Sequence, residues 1–176
     1  TLNTQAGGAS ETITVGGDFS PTNFAAADSL VILNGAATPV AAGSFGYNNL
    51  EVNKSAAANA VNLAVGANVA GTLTITQGTL NQGGALTVAG TLTIGATGSV
   101  VTGDNSLSAN RITESGAGAL LNASGQVTAG RTVSFGSDME LMAGGFSRGT
   151  GTTVVSTGTG TLTSAGNDLG NLRKDT

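Results

Sequence analysis

Short runs in which apolar and polar residues alternate recur along the chain at a nearly constant step. The hexapeptide AGTLTI begins at Ala70 and again at Ala89. Equivalent runs are Ile13-Thr14-Val15, Val31-Ile32-Leu33, Leu50-Glu51-Val52, Leu73-Thr74-Ile75 and Leu92-Thr93-Ile94, followed by Ile112-Thr113-Glu114, Val133-Ser134-Phe135 and Val154-Val155-Ser156, with Leu172 last. Their first residues are separated by 18, 19, 23, 19, 20, 21, 21 and 18 positions. Within a strand, successive side chains point to opposite sides, so Leu73 and Ile75 face inward while Thr72, Thr74 and Thr76 face outward. Two further columns keep the step: Leu80, Val100, Leu120, Leu141, Leu162, and Leu86, Leu107, Val127, Phe146, Leu169. Each repeat of ~20 residues thus holds three short strands separated by Gly, Asn or Ser.

This pattern predicts an all-β chain folded as a three-sided parallel β-helix, or β-solenoid, of about 8–9 coils with ~20 residues each. One coil cannot bury its own inward residues, but stacked coils share a core. At ~4.8 Å per coil the rod would be roughly 40 Å long. The predicted core column is Ile13, Val31, Leu50, Leu73, Leu92, Ile112, Val133 and Val154. The chain reads as a single domain, 1–176, with less regular N-terminal coils over 1–49, regular coils over 50–168 and a polar tail over 169–176. Ala favours helix across residues 56–70, yet Val61, Leu63 and Val65 alternate with period two and Gly66 interrupts, which favours strand. Residues 24–33 are the second ambiguous segment. Leu30–Leu33 is apolar on both faces, which predicts that a cap or partner chain covers the outer one. Neither end shows an amphipathic cap helix.

Composition narrows the function classes. The chain has 29 Gly, 2 Pro and no Cys, His or Trp, with 10 acidic and 6 basic residues for a net charge of −4. Nucleic-acid binding needs clustered Lys and Arg, so no nucleic-acid partner is expected. No apolar run approaches the ~20 residues of a membrane helix. An outer-membrane barrel would carry aromatic girdles; here there are five Phe and one Tyr, four of them between Phe19 and Tyr47. Without Cys there are no disulfides or thiolate metal sites. The chain starts at Thr1 as a processed or excised segment would, and sparse charge with abundant Thr, Ser, Asn and Gly suits an exported surface protein.

Candidate chemistry is thin. A nucleophilic triad needs a base and there is no His. The Lys54-Ser55 pair and Lys174 lack the context of a Ser–Lys catalyst. No Gly-Lys-Ser or Gly-Lys-Thr marks a phosphate loop. Asp138 and Glu140, spaced i, i+2, could face the same way as a glycosidase pair does, with Arg131 and Arg148 as the nearest cations, but a solvated coil edge accounts for them. Only Gly16–Phe19, GGDF, hints at a calcium repeat. The expectation is therefore no enzyme, no cofactor and no metal.

Two surface patterns remain. An outward ladder of Thr72, Thr74, Thr91, Thr93, Thr113, Thr132 and Ser134 resembles the threonine arrays of ice-binding proteins, although Arg111 interrupts it and Thr is in any case a good exposed strand residue. Residues 55–103 contain no charge at all. Small neutral faces can meet without desolvating ions, which points to copies of the chain as partners, stacked head-to-tail or laterally.

The stretch YNNLEVNKS, followed by VNLAVGANVAGTLTITQGTLNQGGALTVAGTLTI, resembles repeats of large bacterial cell-surface proteins of the adhesin and autotransporter-passenger type. The likeness covers about Tyr47 to Val101. It implies a right-handed coil, a secreted or cell-surface location and an adhesive or structural role. The expected function is an extracellular structural protein whose self-association forms or decorates surface filaments. The alternatives are an adhesin segment that binds a surface or glycan, and an ice-binding protein.

Overall fold

The computed structural model describes residues 2–3, 11–21, 24–43 and 45–175. Every regular element among them is a β-strand, and every strand pairing is parallel. The strands form three faces of a β-solenoid. The first face stacks Thr12–Val15, Leu30–Gly35, Asn49–Lys54, the start of Leu73–Gln82, the middle of Leu86–Val101, the end of Leu107–Glu114, Met139–Glu140 and Leu162–Thr163. These eight strands define eight coils. The second face stacks Val40–Ala42, Ala60–Leu63, the ends of Leu73–Gln82 and Leu86–Val101, Leu120–Ala123 and Phe146–Arg148. The third stacks Gly46–Tyr47, Ala67–Val69, the starts of Leu86–Val101 and Leu107–Glu114, Arg131–Phe135, Thr152–Ser156 and Asn171–Lys174. A separate two-stranded pair joins Leu2–Asn3 to Phe24–Ala25. The ambiguous segment 56–70 forms the strands Ala60–Leu63 and Ala67–Val69.

Alternation turns every second residue into the core. On the first face Ile13, Val31, Leu50, Leu73, Leu92 and Ile112 lie directly over one another. From Val31 onward these are fully buried, whereas Ile13 in the first coil is only half-buried. A column of Val15, Leu33, Val52, Ile75 and Ile94 runs beside it. Burying each such side chain contributes ~2 kcal/mol by transfer arithmetic, and none can be buried without the coil above or below.

The expected column departs from the structure after Ile112. Ile112 pairs with Met139, not Val133, and Met139 with Leu162. Val133 and Val154 stack on the third face, between Leu107 and Leu172. The cause is an insertion in the sixth coil, residues 124–130, between Leu120–Ala123 and Arg131–Phe135. It lengthens that coil while the recurrence of apolar residues continues at the short step, so a constant period assigns later residues to the wrong face. Leu121, not Leu120, sits over Val100 and is followed by Phe146; Leu141 and Leu162 belong to the first face; Val127 is 64 % exposed in the inserted loop. The inserted loop is pinned from the coil below. Asp104 Oδ1 accepts the Val127 and Thr128 N–H groups, both at 3.1 Å, and Oδ2 accepts the Thr128 hydroxyl at 2.5 Å. The segment expected to be a polar tail also differs, because Asn171–Lys174 pairs as a strand with Thr153–Ser156.

The N-terminal coils close with aromatics. Phe19, Phe24, Phe45 and Tyr47 pack with ring centroids 5.2 to 6.3 Å apart, mostly edge to face, an arrangement that suits the ring quadrupoles. The buried Tyr47 hydroxyl donates to Gly43 O at 2.8 Å, and burial pushes its pKa up.

Leu92, fully buried between Leu73 and Ile112, tests the stacking. Leu92→Ala should lower unfolding free energy by about 3 kcal/mol in urea titration. Leu92→Asp should abolish the cooperative transition, since an unpaired carboxylate would be buried among apolar neighbours on both sides. A wild-type melting curve for the Asp variant would refute the stacked core.

Candidate functional site

Of the outward ladder, the structure brings Thr72, Thr74, Thr91, Thr93 and Thr113 together on the first face. Thr74 pairs with Thr93 and Thr93 with Thr113. The full outward rank through them is Thr14, Ile32, Glu51, Thr74, Thr93, Thr113, Glu140 and Thr163. Alongside, Thr72 donates from both its N–H and its hydroxyl to Asn49 Oδ1, at 2.8 and 3.0 Å, and Thr91 pairs with Arg111. Thr132 and Ser134 do not belong to this ladder. They lie on the third face beside Thr153 and between Ser108 and Val155, displaced by the same insertion that shifts Val133. The ladder is bounded by charge: Glu51 accepts the Thr76 hydroxyl at 2.7 Å, and Arg111 pairs with Glu140 at 2.7 Å. Leu30 and Ile32, also outward here, are half-buried.

The remaining faces carry neutral side chains in register. Asn62, Asn81, Val101 and Asn122 line up on the second face, where Asn81 Nδ2 donates to Asn62 Oδ1 at 2.8 Å. Asn68, Thr87, Ser108 and Ser134 line up on the third. Such ladders repeat the same contact at each strand spacing.

Both carboxylates weighed as catalytic have partners in the fold. Asp138 Oδ1 accepts both the N–H and the hydroxyl of Thr161 at 3.0 Å; these bonds, with the Arg111 charge, hold its carboxyl below the ordinary range. Glu140 is engaged by Arg111. The cation between them is therefore Arg111, while Arg131 pairs with Asp104 and Arg148 with Asp168. Lys54 and Ser55 point apart: Lys54 is 1 % exposed, and Ser55 Oγ accepts Asn59 Nδ2 at 3.1 Å. Lys174 reaches Ser156 Oγ at 3.3 Å and also Gly158 O, beside a cavity of about 220 Å³ lined by Phe135, Leu162 and Leu172. Among the described residues no group of three or more acidic, His or Cys side chains converges as a metal site.

The chemistry that sequence reasoning missed is inside. Lys54 projects into the corner between the first and second faces and donates to Asn34 O at 2.6 Å; burial pushes its pKa down. Gly78 (φ 104°) packs on its stem, where a Cβ would come within 2.7 Å of Lys54 Cγ. Glu114 takes the place of an apolar residue above Ile94 and is 4 % exposed. Its carboxylate accepts Leu121 N–H at 3.2 Å and Met142 N–H at 2.7 Å. Desolvation pushes its pKa up to about 7, partly offset by those two hydrogen bonds. At the corner between the second and third faces, amide side chains thread successive coils. Gln82 Nε2 donates to Gly84 O (3.1 Å) and Ser106 O (3.2 Å); Asn105 Nδ2 donates to Thr102 O (3.1 Å) and Gln82 O (3.2 Å). Gln126 Nε2 donates to Asn105 O (2.5 Å) and Thr132 O (3.3 Å). Each amide satisfies one carbonyl of its own coil and one of a neighbouring coil.

The chain matches no protein-family model, no curated protein and no solved structure. Among the described residues, no helix is long and apolar enough to cross a membrane.

Gln126 is fully buried, so Gln126→Ala strands two carbonyls at once. It should cost about 2 kcal/mol in urea denaturation. Arg148→Ala, which breaks an exposed pair, should cost under ~1 kcal/mol. Equal costs would refute the structural role of the amide file.

Proposed function

We propose that this chain is an extracellular structural protein, a β-solenoid whose copies associate with one another to form or decorate surface filaments. The observation that carries this reading is the in-register arrangement of neutral side chains on the faces of the central coils. Residues 55–103 carry no charge, and the Thr and Asn pairs there, Thr74 with Thr93, Asn62 with Asn81 and Asn68 with Thr87, repeat at the strand spacing. Two such faces can approach without stripping water from an ion. Elsewhere the arginines are offset by carboxylates of the same molecule: Arg111 by Asp138 and Glu140, Arg131 by Asp104, Arg148 by Asp168 and Arg173 by Asp175. The net charge of −4 lies wholly outside residues 55–103, so it does not fall on the strands of this segment. The proposed mechanism is mechanical. Ladder hydrogen bonds and a shared apolar core resist unfolding and proteolysis, and association multiplies the effect. An extracellular location agrees with the absence of Cys only in being compatible with it; the support comes from the composition and from the likeness to surface-protein repeats.

A second reading, ice binding, is favoured by one feature: Thr74, Thr93 and Thr113 pair outward on three successive strands of the first face, with Thr72 and Thr91 beside them. An adhesin segment is the third reading, in which the same faces would meet a glycan.

Negative-stain electron microscopy and sedimentation of the purified chain test the first reading. Elongated assemblies are expected, and Thr74→Lys with Thr93→Lys should dissolve them by placing like charges on the neutral face. Monodisperse short rods at high concentration would overturn it. Inhibition of ice recrystallisation by the wild type, lost in the same double variant, would favour the second reading instead.

A further inference from the structure

We propose that the Glu114 carboxyl is a proton-operated latch between the sixth and seventh coils, closed when protonated and loosened when ionised. The geometry is specific. Glu114 stands at the end of Leu107–Glu114, pointing inward, directly in line with Ile75 and Ile94. Its two oxygens span the corner where the first face turns into the second. One accepts Met142 N–H from the next coil at 2.7 Å and makes the link between coils; the other lies 3.2 Å from Leu121 N–H of its own coil, which Gly145 O already accepts, so this second oxygen can carry the proton with the link intact. Leu121 N–H is shared with Gly145 O at 2.7 Å, and Gly145 N–H donates to Met142 O at 3.0 Å, so the carboxyl closes a small ring of backbone groups joining the two coils. Gly145 makes room for it: a Cβ there would overlap the carboxylate.

Among the described residues no cation pairs with this group. Among the described residues the ion pairs involve Asp104, Asp138, Glu140, Asp168 and Asp175, not Glu114. On its own strand Arg111 occupies an outward position and turns to Glu140 and Asp138. On Met139–Glu140, Glu140 lies outward beside Thr113. The strands Leu86–Val101 and Leu120–Ala123, and the corner segments 115–119 and 142–145, contain no charged residue. An ionised carboxylate there is buried with two hydrogen bonds and no counter-charge, which is costly.

The direction follows from linkage. Burial raises the folded-state pKa from its ordinary 4.5 to about 7. Between these values the closed corner holds a proton that the opened corner releases, so rising pH favours opening. The latch is tightest below about pH 4.5, loosens as pH rises through 7, and changes no further above it. The regulated element is the C-terminal part of the solenoid, from Glu114 onward, while the coils from Thr12 to Ile94 lack the group.

Hydrogen–deuterium exchange of the full chain, corrected for intrinsic rates, tests this. Protection of the segments 111–114, 120–123 and 139–148 should fall by roughly a hundredfold from pH 5 to pH 8, while protection of 30–35 and 49–54 stays level. Glu114→Gln and Glu114→Leu should each flatten the C-terminal response. Two results would overturn the latch: equal wild-type protection at both pH values, or a pH response that survives in both variants. A loss spread evenly over all coils would also overturn it, because the group acts at one corner.

Discussion

Parallel pairing with a shared register is the constraint on which this structure depends. Each inward side chain on a face must sit over the equivalent one of the coil below, because the backbone ladders fix both the spacing and the direction. A coil has no core of its own. The apolar columns from Ile13 to Ile112 and from Val15 to Ile94 exist only as properties of the stack. The same constraint governs the outside, where any repeated residue type becomes a ladder. One backbone rule thus makes both the dry interior and the neutral, repetitive surface on which the proposed association rests.

Polar groups inside such a stack must be satisfied across coils as well as within them. The corners interrupt the ladders and leave carbonyls to be met by side chains. Gln82, Asn105 and Gln126 meet them at one corner, and Lys54 meets Asn34 O at another. Because each of these bonds bridges neighbouring coils, they add cooperativity where the sheet hydrogen bonds lapse. Glu114 is the exception in kind: it joins two coils with an acceptor whose charge is not balanced, so its contribution depends on the proton.

Much of the fold was legible in the sequence because alternation and a ~20-residue step are direct images of strand and coil. AGTLTI at Ala70 and Ala89 brings Leu73 under Leu92 as the repeat implies. The period failed where physics permits a change of length. The insertion at 124–130 adds residues at a corner between strands, and Val133, at the expected spacing from Ile112, belongs to another face. Thr132 and Ser134 left the ladder for the same reason. The aromatic cluster had a visible signal, four of six aromatics between Phe19 and Tyr47, but nothing in the pattern said that they would meet. Glu114 was visible too, at an inward position of a recognised run, where a charge in an apolar column should mark a specific burial. Gln82 and Gln126 gave no such sign, since glutamine is equally common on exposed turns.

The sixth-coil insertion has a wider consequence. Its extra residues widen a corner, tied to the coil below by the Asp104 carboxylate and by the buried Gln126 amide, while all three faces continue in register above it. Length at a corner is thereby uncoupled from order in the stack. A coil of this stack can thus be several residues longer than its neighbours at one corner while each of its strands still finds its partner on the next coil.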